Sequence, residues 1–467
     1  MCILSPINDS EALMDKPYPI RAALTDRSLY LDTLKLGIPI AGQSLIAVGM
    51  NVADTVMLRK MGDAQISAAS MAGQYVTLFL ACVMGLGMGV TVLTNRYWSM
   101  GEREDLHRSV TVMLRWELLL AAIFGGAALL FPRLLMGVFT KDPETIAYGV
   151  VYLRWLLPCY VCIALSQGCT LVLRSAGKLL VPLISAGLAL GVNVLGNFLL
   201  IGGNWGAPRL EIQGAAIATS AGWAVQLVTT CGYFFFVEKD IGYRLQELRE
   251  NCSEIMPEYL RISLPVLVSD GLLGLGSSVI SMAMGHMGPT FAAANSVTIV
   301  VIQLSTVLHF GTSGAAAIIT GHTMGRGELK KAAARGYAFV VIALGVGLAA
   351  AVGIALLRRP ILAYYHVSGE AKALAWKLMK VIPVFVVVQS VNGVLTKGVL
   401  RAGGDTRFLM VADILFLWTV SIPLGLLGAF VWGWPPVVVY EVMKLDQLLK
   451  CGWCLQRLRS GKWQKNI

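Results

Sequence analysis

Charged side chains are scarce in this sequence of 467 residues, in which Asp, Glu, Lys and Arg together make up 14%. Soluble globular domains carry ~25% of these residues. Apolar runs recur along the whole chain instead, and 56% of its residues are hydrophobic. Because a helix needs ~20 mostly apolar residues to cross a bilayer, this composition excludes an ordinary soluble domain and predicts a polytopic helical membrane protein.

Groupings typical of metal centres or catalytic sites are also lacking. The five histidines are dispersed, and the two Cys-x-x-Cys pairs, which begin at Cys159 and Cys451, have no partner pair at the spacing of zinc ligands. The sequence shows neither Asp-rich loops for metal-dependent prenyl transfer nor paired groups for intramembrane proteolysis. We therefore expect a protein that is not an enzyme and has no cofactor or metal, with an intramembrane enzyme as the least favoured alternative.

The basic residues follow a pattern along the chain. The formal net charge is +11, and most of the 38 Lys and Arg fall in alternate loops and near the two ends. This positive-inside bias predicts a multi-pass plasma-membrane protein with both termini in the cytoplasm, and a lipid bilayer rather than nucleic acid as its partner. Residues 1–32 are too polar for a secretory signal and are expected to be disordered or interfacial.

Hydropathy and helix breakers predict twelve transmembrane helices. Their expected bounds are about 34–57, 67–94, 108–131, 145–173, 179–202, 212–237, 258–285, 290–320, 332–357, 373–400, 407–431 and 434–455. The widest polar interval divides the chain into two sets of six helices. The expected domains are a polar cytoplasmic N-terminal segment (1–32), an N-terminal six-helix lobe (33–237), a cytoplasmic linker (238–257), a C-terminal six-helix lobe (258–455) and a basic cytoplasmic tail (456–467).

The two halves of the chain repeat each other. The segment Leu34–Pro39 is echoed by Leu260–Pro265, and the turn Leu173–Gly177 is echoed in nearly the same register by Leu400–Gly404. Because each half has an even number of helices, both halves enter the membrane in the same direction. The sequence therefore predicts an all-α polytopic fold of two pseudo-symmetric six-helix lobes, with a substrate cleft between them.

One acid in the first predicted helix is the main candidate for a functional group. Asp54 lies ~22 Å along a helix from Pro39, within a span matched to a ~30 Å hydrocarbon layer. An ionised side chain at that depth costs ~2.5–3.5 kcal/mol and persists mainly where it faces a bundle interior or water. We expect Asp54 to be the group that responds to a proton or cation, unless it lies high enough to pair with Arg59 or Lys60.

Polar residues of predicted helices 1 and 5 are expected to converge on Asp54. These residues are Gln43, Asn51, Asn193 and Asn197. The two asparagines of helix 5 are one turn apart and therefore share a face. Together these groups would form a hydrated pocket inside the N-terminal lobe.

Other acids inside the spans are weaker candidates. Asp270 in helix 7 and Asp413 in helix 11 are secondary candidates for coupling, although Asp413 could instead hydrogen-bond a neighbouring helix. Glu117 follows Arg115 near a helix end, where a surface ion pair is the expected role.

Methionines are candidates for the wall of the cleft, because their flexible side chains adapt to varied ligand shapes. The residues considered are Met50, Met84, Met88, Met282 and Met284. The competing interpretation is that most of them are ordinary core or lipid-facing residues.

Several segments together resemble the multidrug and toxic compound extrusion (MATE) family. They are the run from Pro39 to Met57, the turn 173–177, Asn193-x-x-x-Asn197, and the runs 213–219 and 401–406. The resemblance covers roughly residues 30–460 and implies two six-helix lobes in an outward-open V. It also implies export of small amphipathic cations, such as drugs and toxins, by alternating access in exchange for H⁺ or Na⁺. One chain contains both lobes and is expected to function as a monomer.

The resemblance also implies roles for residues of the N-terminal lobe. The family's aspartate of helix 1 falls on Asp54. In the DinF-like branch, an asparagine and an aspartate one turn apart on helix 5 assist it, and these positions fall on Asn193 and Asn197. This sequence departs from that branch at Asn197. A threonine of the helix 6 motif falls on Thr219.

A second carboxylate site, in the C-terminal lobe, is implied by the NorM-like branch. Its glutamate falls on Leu273 and its aspartate on Ser390, beside Gln389, so both acids are missing here. Asp270 lies about one turn from Leu273 and is the nearest substitute. The coupling site is therefore expected in the N-terminal lobe, with Asp270, Gln389, Ser390 and Asp413 as secondary positions.

A lipid-linked saccharide flippase is the alternative function within transport, because related two-lobed exporters share this architecture. A cleft rich in basic residues would favour it. The sequence shows few basic residues inside the spans, all toward helix ends: Arg154, Lys377, Lys380 and Lys397.

Overall fold

A computed structural model describes residues 19–58, 61–364 and 369–465, which are almost entirely helical. The first half contains α1 (Ile20–Thr25), α2 (Arg27–Leu58), α3 (Asp63–Met100), α4 (Arg103–Leu130), α5 (Pro132–Phe139), α6 (Pro143–Trp155), α7 (Leu157–Ser175), α8 (Leu180–Gly202) and α9 (Glu211–Gly232). The second half contains α10 (Met256–His286), α11 (Pro289–Gly325), α12 (Leu329–Tyr364), α13 (Gly369–Gly393), α14 (Leu400–Ala402), α15 (Thr406–Phe416), α16 (Ile422–Phe430), α17 (Pro436–Val442) and α18 (Leu445–Arg459). Short π-helical turns join α13 to α14 (Val394–Val399) and α15 to α16 (Leu417–Ser421).

Within the described ranges, 11 helical segments are long and apolar enough to cross a membrane. The predicted twelfth span, 434–455, is not among them because α17 and α18 are short and separate. At this break the backbone N–H of Asp446 donates to the hydroxyl of Ser421 at 2.7 Å instead of continuing the helix. The predicted fourth span, 145–173, is also divided, because α6 ends at Trp155 and α7 begins at Leu157. The predicted all-α polytopic fold of two lobes is confirmed, with these two spans interrupted.

The lobes meet along two helix pairs, in which α2 packs on α11 and α3 packs on α10. Small residues allow this close approach. A Cβ on Gly311 would lie 2.5 Å from the carbonyl oxygen of Gly37, and a Cβ on Gly89 would lie 2.1 Å from the hydroxyl oxygen of Ser263. The helices of the N-terminal lobe (α2–α9) and of the C-terminal lobe (α10–α18) also enclose separate buried apolar clusters.

The N-terminal segment is more ordered than the sequence predicted. Residues 1–18 lie outside the described residues, but α1 and the start of α2 make residues 20–25 and 27–32 helical. Ala23 and Leu29 are fully buried in an apolar cluster of the C-terminal lobe, and Asp26 forms an ion pair with Arg335 at 3.3 Å. Of the two alternatives, disorder is therefore wrong for residues 20–25 and 27–32, because their apolar side chains have a surface to pack on, and an interfacial position stays a prediction.

The predicted basic tail also packs against the protein. Trp463 is fully buried beside Gly403, and the guanidinium of Arg96 on α3 donates to the carbonyl oxygens of Gly403 at 3.1 Å and Lys465 at 2.8 Å. The tail thus contributes to the contact between the two lobes. Residues 466 and 467 lie outside the described part of the chain.

Candidate ion-coupling site and interlobe cavity

Four of the predicted site residues form one hydrogen-bonded group inside the N-terminal lobe. The side-chain amide of Asn197 donates to Asp54 Oδ1 at 2.7 Å and to Asn193 Oδ1 at 3.2 Å. The amide of Asn193 in turn donates to Thr219 Oγ1 at 3.3 Å. Asn193 and Asn197 are 0% and 2% exposed. The group therefore joins α2, α8 and α9 through polar contacts in the lobe interior, and its part in ion coupling stays a prediction.

The close packing of α8 on α9 places these side chains within reach of each other. Asn193 and Asn197 lie one turn apart on α8 and point to the same side. A Cβ on Gly196 would lie 2.8 Å from the Cβ of Ala218, and one on Gly222 would lie 3.0 Å from a backbone carbonyl of α8. Because both positions are glycine, α9 approaches closely enough for Thr219 to meet Asn193.

Tyr152 of α6 is a member of this group that the sequence reasoning missed. Its side chain is buried and lies close enough to Thr219 and Asp54 to interact with both. A buried tyrosine hydroxyl usually has a hydrogen-bond partner. A tyrosine inside an apolar span therefore indicates a polar contact in the lobe interior. The sequence does not show which neighbouring helix supplies that partner.

Gln43 lies elsewhere, so the prediction that it joins Asp54 is wrong. Its side-chain oxygen accepts hydrogen bonds from the guanidinium of Arg174, and its amide donates to the carbonyl of Leu179 at 3.3 Å. Gln43 is ~16 Å from Asp54 along α2, too far for one cluster. It connects α2 to the turn between α7 and α8.

The alternative partners of Asp54, Arg59 and Lys60, lie outside the described residues. The contact with Asn197 nevertheless places Asp54 against the interior of the N-terminal lobe. Asn51 lies on the wall of a cavity between the lobes.

This interlobe cavity has a volume of about 560 Å³, within the range of small-molecule sites. Its walls come from α2, α3, α7, α8 and α9 of one lobe and from α10, α11 and the α13–α14 turn of the other. Met50, Met84 and Met88 line it, as considered from the sequence. Met284 instead belongs to the core of the C-terminal lobe, and Met282 is 64% exposed.

Among the described residues, four charged side chains line the cavity, and three of them are basic. Arg174 comes from the N-terminal lobe, whereas Asp270, Lys397 and Arg401 come from the C-terminal lobe. Asp270 pairs with the guanidinium of Arg401 at 3.3 Å. The ammonium of Lys397 lies 5.1 Å from the ring centroid of Phe310. Of the four basic residues noted inside the spans, Lys397 reaches the described cavity wall, and it is joined there by Arg174 and Arg401, which the sequence did not indicate for the cleft.

Asp413 contacts neighbouring helices, which was one of its two predicted roles. Its carboxylate accepts a hydrogen bond from Ser269 of α10 at 2.5 Å and forms an ion pair with Lys450 of α18 at 2.8 Å. Both charged side chains are buried. The contacts make Asp413 a link among three helices of the C-terminal lobe.

The other secondary positions are not gathered around Asp270. Ser390 is buried on α13, against Gly347 of α12, and Gln389 precedes it. Among the described residues, neither is part of the cavity wall, on which Asp270 lies. Leu273 packs on the apolar core of the C-terminal lobe.

Glu117 is buried rather than part of a surface ion pair, so that prediction is wrong. Its side chain is 0% exposed, and among the described residues neither carboxyl oxygen has a hydrogen-bond partner. A Cβ on Gly168 would lie 2.3 Å from its Oε2. Arg115 instead donates to the backbone carbonyls of Leu248 and Glu250. An ionised carboxylate without a partner is costly to bury, so this enclosed acid is unusual in the N-terminal lobe.

The fold and the cavity define the class of protein. A helical membrane protein of two similar lobes, with a cavity between them and an acid held inside one lobe, has the architecture of a membrane transporter. The model of the MatE family matches residues 39–199 and 265–427, and the chain belongs to this family. The matches begin at Pro39 and Pro265, the two prolines that the internal repeat aligns.

Two relatives are multidrug resistance proteins by name and match most of the chain. The chain is 28% identical over 422 residues to a probable multidrug resistance protein NorM of Synechocystis sp., covering 85% of this chain and 89% of the relative. It is 27% identical over 416 residues to the multidrug resistance protein NorM of Burkholderia vietnamiensis, covering 86% and 87%.

Solved structures share the fold at lower identity. A multidrug resistance MATE family transporter in an outward-facing conformation superposes with a TM-score of 0.83 at 18% identity, covering 96% of this chain and all of the other. A transporter of the MOP superfamily from Pyrococcus furiosus, described as having a binding pocket of reverse polarity, gives a TM-score of 0.82 at 18% identity, with the same coverage.

Proposed function

We propose that this protein is a secondary active multidrug efflux transporter that exports amphipathic compounds by alternating access, in exchange for H⁺ or Na⁺. The observation that carries the proposal is the contact between Asp54 and Asn197 inside the N-terminal lobe. On the same helix, Met50 and Asn51 line the interlobe cavity. The names of the NorM relatives support the multidrug part of the proposal.

Helix α2 is the element that connects the ion to the substrate. An ionised Asp54 accepts the hydrogen bond from Asn197, and binding of a proton or Na⁺ changes the charge that this amide faces. Pro39 lies inside α2 and has no N–H to donate to the preceding turn, so it is the natural point of bending. Moving one charge across 100 mV supplies ~2.3 kcal/mol for such a cycle.

The charge of the substrate is a separate part of the proposal. The family resemblance implies cationic compounds, for which Asp270 is the one carboxylate on the described cavity wall. Arg401 already pairs with Asp270, and two further basic side chains line the same wall. The cavity therefore supports an amphipathic substrate but does not favour a cation.

The basic cavity wall favours a second candidate, a lipid-linked saccharide flippase. Its substrate would present a phosphate-linked headgroup to the cavity. The two candidates differ in whether a soluble amphipathic compound moves when an ion gradient is imposed. We further propose a monomer in the plasma membrane with both termini in the cytoplasm.

Transport by purified protein in proteoliposomes tests the function. We expect a pH or sodium gradient to drive amphipathic dyes across the membrane, and we expect Asp54→Asn to fold and bind dye without using either gradient. Asp32→Asn is the matched control, since Asp32 is an exposed acid of the same helix. Normal gradient-driven transport by Asp54→Asn contradicts the proposed coupling site.

A further inference from the structure

The charges of the interlobe cavity are unequal in sign and come from both lobes. Arg174 reaches the wall from α7 of the N-terminal lobe, and Lys397 and Arg401 reach it from the C-terminal lobe. Asp270 is the one acidic residue of the described wall. The cavity is therefore electropositive, and its positive charge is shared between the two lobes.

Among the described residues, two of the three cations are not in direct contact with an acidic side chain. Arg401 pairs with Asp270 at 3.3 Å, but Arg174 donates to the neutral side-chain oxygen of Gln43. Lys397 contacts the ring of Phe310. Within the described part of the chain, neither Arg174 nor Lys397 forms an ion pair by direct contact, although Lys397 lies close enough to Asp270 to interact with it electrostatically. The described wall therefore carries three basic residues against one acid, and basic residues come from both lobes.

The remainder of the wall is suited to an apolar body. Ile40, Val48 and Leu80 line it together with Trp223, and the methionines described above add flexible contacts. An amphipathic anion could bury its apolar body against this wall and place its anionic group near the basic side chains. A cationic group would instead meet an excess of charge of its own sign, where low-dielectric walls strengthen repulsion.

We propose that the interlobe cavity binds amphipathic anions, whose carboxylate, sulfonate or phosphate group is held between Arg174 of one lobe and Lys397 of the other. The inference rests on the proposed transport function and changes its substrate class from cations to anions. Because the two basic side chains belong to different lobes, the bound anion would also compensate charge on both sides of the cavity.

Binding of two dyes to the purified full-length protein in a non-ionic detergent tests the inference. Fluorescence polarisation would be measured for an anionic dye of the fluorescein type and a cationic dye of the rhodamine type, at low and high salt. We expect the anionic dye to bind at least ~10-fold more tightly, and added salt to weaken its binding. Equal or tighter binding of the cationic dye would overturn the proposal.

Substitutions of Lys397 test whether the anionic dye binds in the cavity. We expect Lys397→Gln to weaken binding of the anionic dye ~10-fold, Lys397→Arg to retain it, and Lys380→Gln to leave it unchanged, since Lys380 is an exposed lysine of the same lobe. Unchanged affinity in Lys397→Gln would refute the site. Should Lys397→Gln fail to fold, Arg174→Gln tests the same charge from the other lobe, with the same two outcomes.

Two further measurements distinguish a soluble anion from a lipid headgroup, and the anion site from the proposed transport function. Displacement of the dye by a soluble aryl sulfonate supports a soluble substrate, whereas displacement by a short-chain lipid phosphate alone supports a lipid headgroup. Both results agree with an anion site, and displacement by neither contradicts it. Anion binding without gradient-driven transport refutes the proposed function but not the anion site.

Discussion

The replacement of Asn197 by Asp tests whether the Asp54 group controls ion coupling. The substitution places a second carboxyl oxygen about where the Asn197 amide now donates to Asp54, 2.7 Å away. Two ionised carboxylates at that separation repel each other by ~6 kcal/mol at an effective dielectric constant of ~20. Because ~1.4 kcal/mol changes an equilibrium tenfold, the two acids would share a proton at neutral pH.

The expected result is a shift of the transport profile to higher pH. Paired carboxyls of one site titrate ~3 pH units apart, and we expect the midpoint of gradient-driven dye transport in Asn197→Asp to rise by up to that amount. If Na⁺ is the coupling ion, the half-saturating sodium concentration should fall instead, because the second carboxylate attracts the cation. Both quantities are measured in proteoliposomes over a series of pH values and sodium concentrations.

Asn392→Asp is the matched control for this experiment. Asn392 is also 2% exposed and its amide also donates over 2.7 Å, but to Gln447 in the C-terminal lobe. We expect its pH and sodium profiles to resemble those of the unchanged protein. The reasoning is refuted if Asn197→Asp leaves both profiles unchanged, or if Asn392→Asp shifts them by the same amount.

Two other predictions concern residues that the structure newly places. Tyr152→Phe removes the hydroxyl that lies near Thr219 and Asp54. We expect ion-driven transport to fall ~10-fold while the affinity for the dye is unchanged. A full transport rate would exclude Tyr152 from the group around Asp54. Glu117→Gln replaces the enclosed carboxyl group by an amide of similar shape, and since an ionised carboxylate would be costly there, we expect the melting temperature in detergent to stay within ~2 °C. Gly168→Ala should lower that temperature by several degrees because its Cβ would meet Glu117, and a large loss in Glu117→Gln would show instead that the carboxylate is ionised.

The membrane-spanning helices and the two-lobed repeat follow from the sequence alone, because they depend on composition and on the spacing of residues along the chain. Apolar runs of membrane-spanning length predict the helices, and the aligned Pro39 and Pro265 predict the repeat of the two lobes. The helical spacing of Asn193 and Asn197 places both on one face, and the cost of burying such groups against lipid directs them inward with Asp54. The structure contains this group.

Only the tertiary structure decided what each polar side chain contacts. Gln43 was expected beside Asp54 but bonds to Arg174, and Glu117 was expected at a surface but is fully enclosed. Lys397 lies toward a helix end, as expected, but only the structure shows that it lines the cavity. Helical periodicity gives the direction of a side chain from its own helix axis. The partner of that side chain depends on which neighbouring helix packs against its own helix and how closely. Small residues far away in the chain, such as Gly168, set the distance between the two helices.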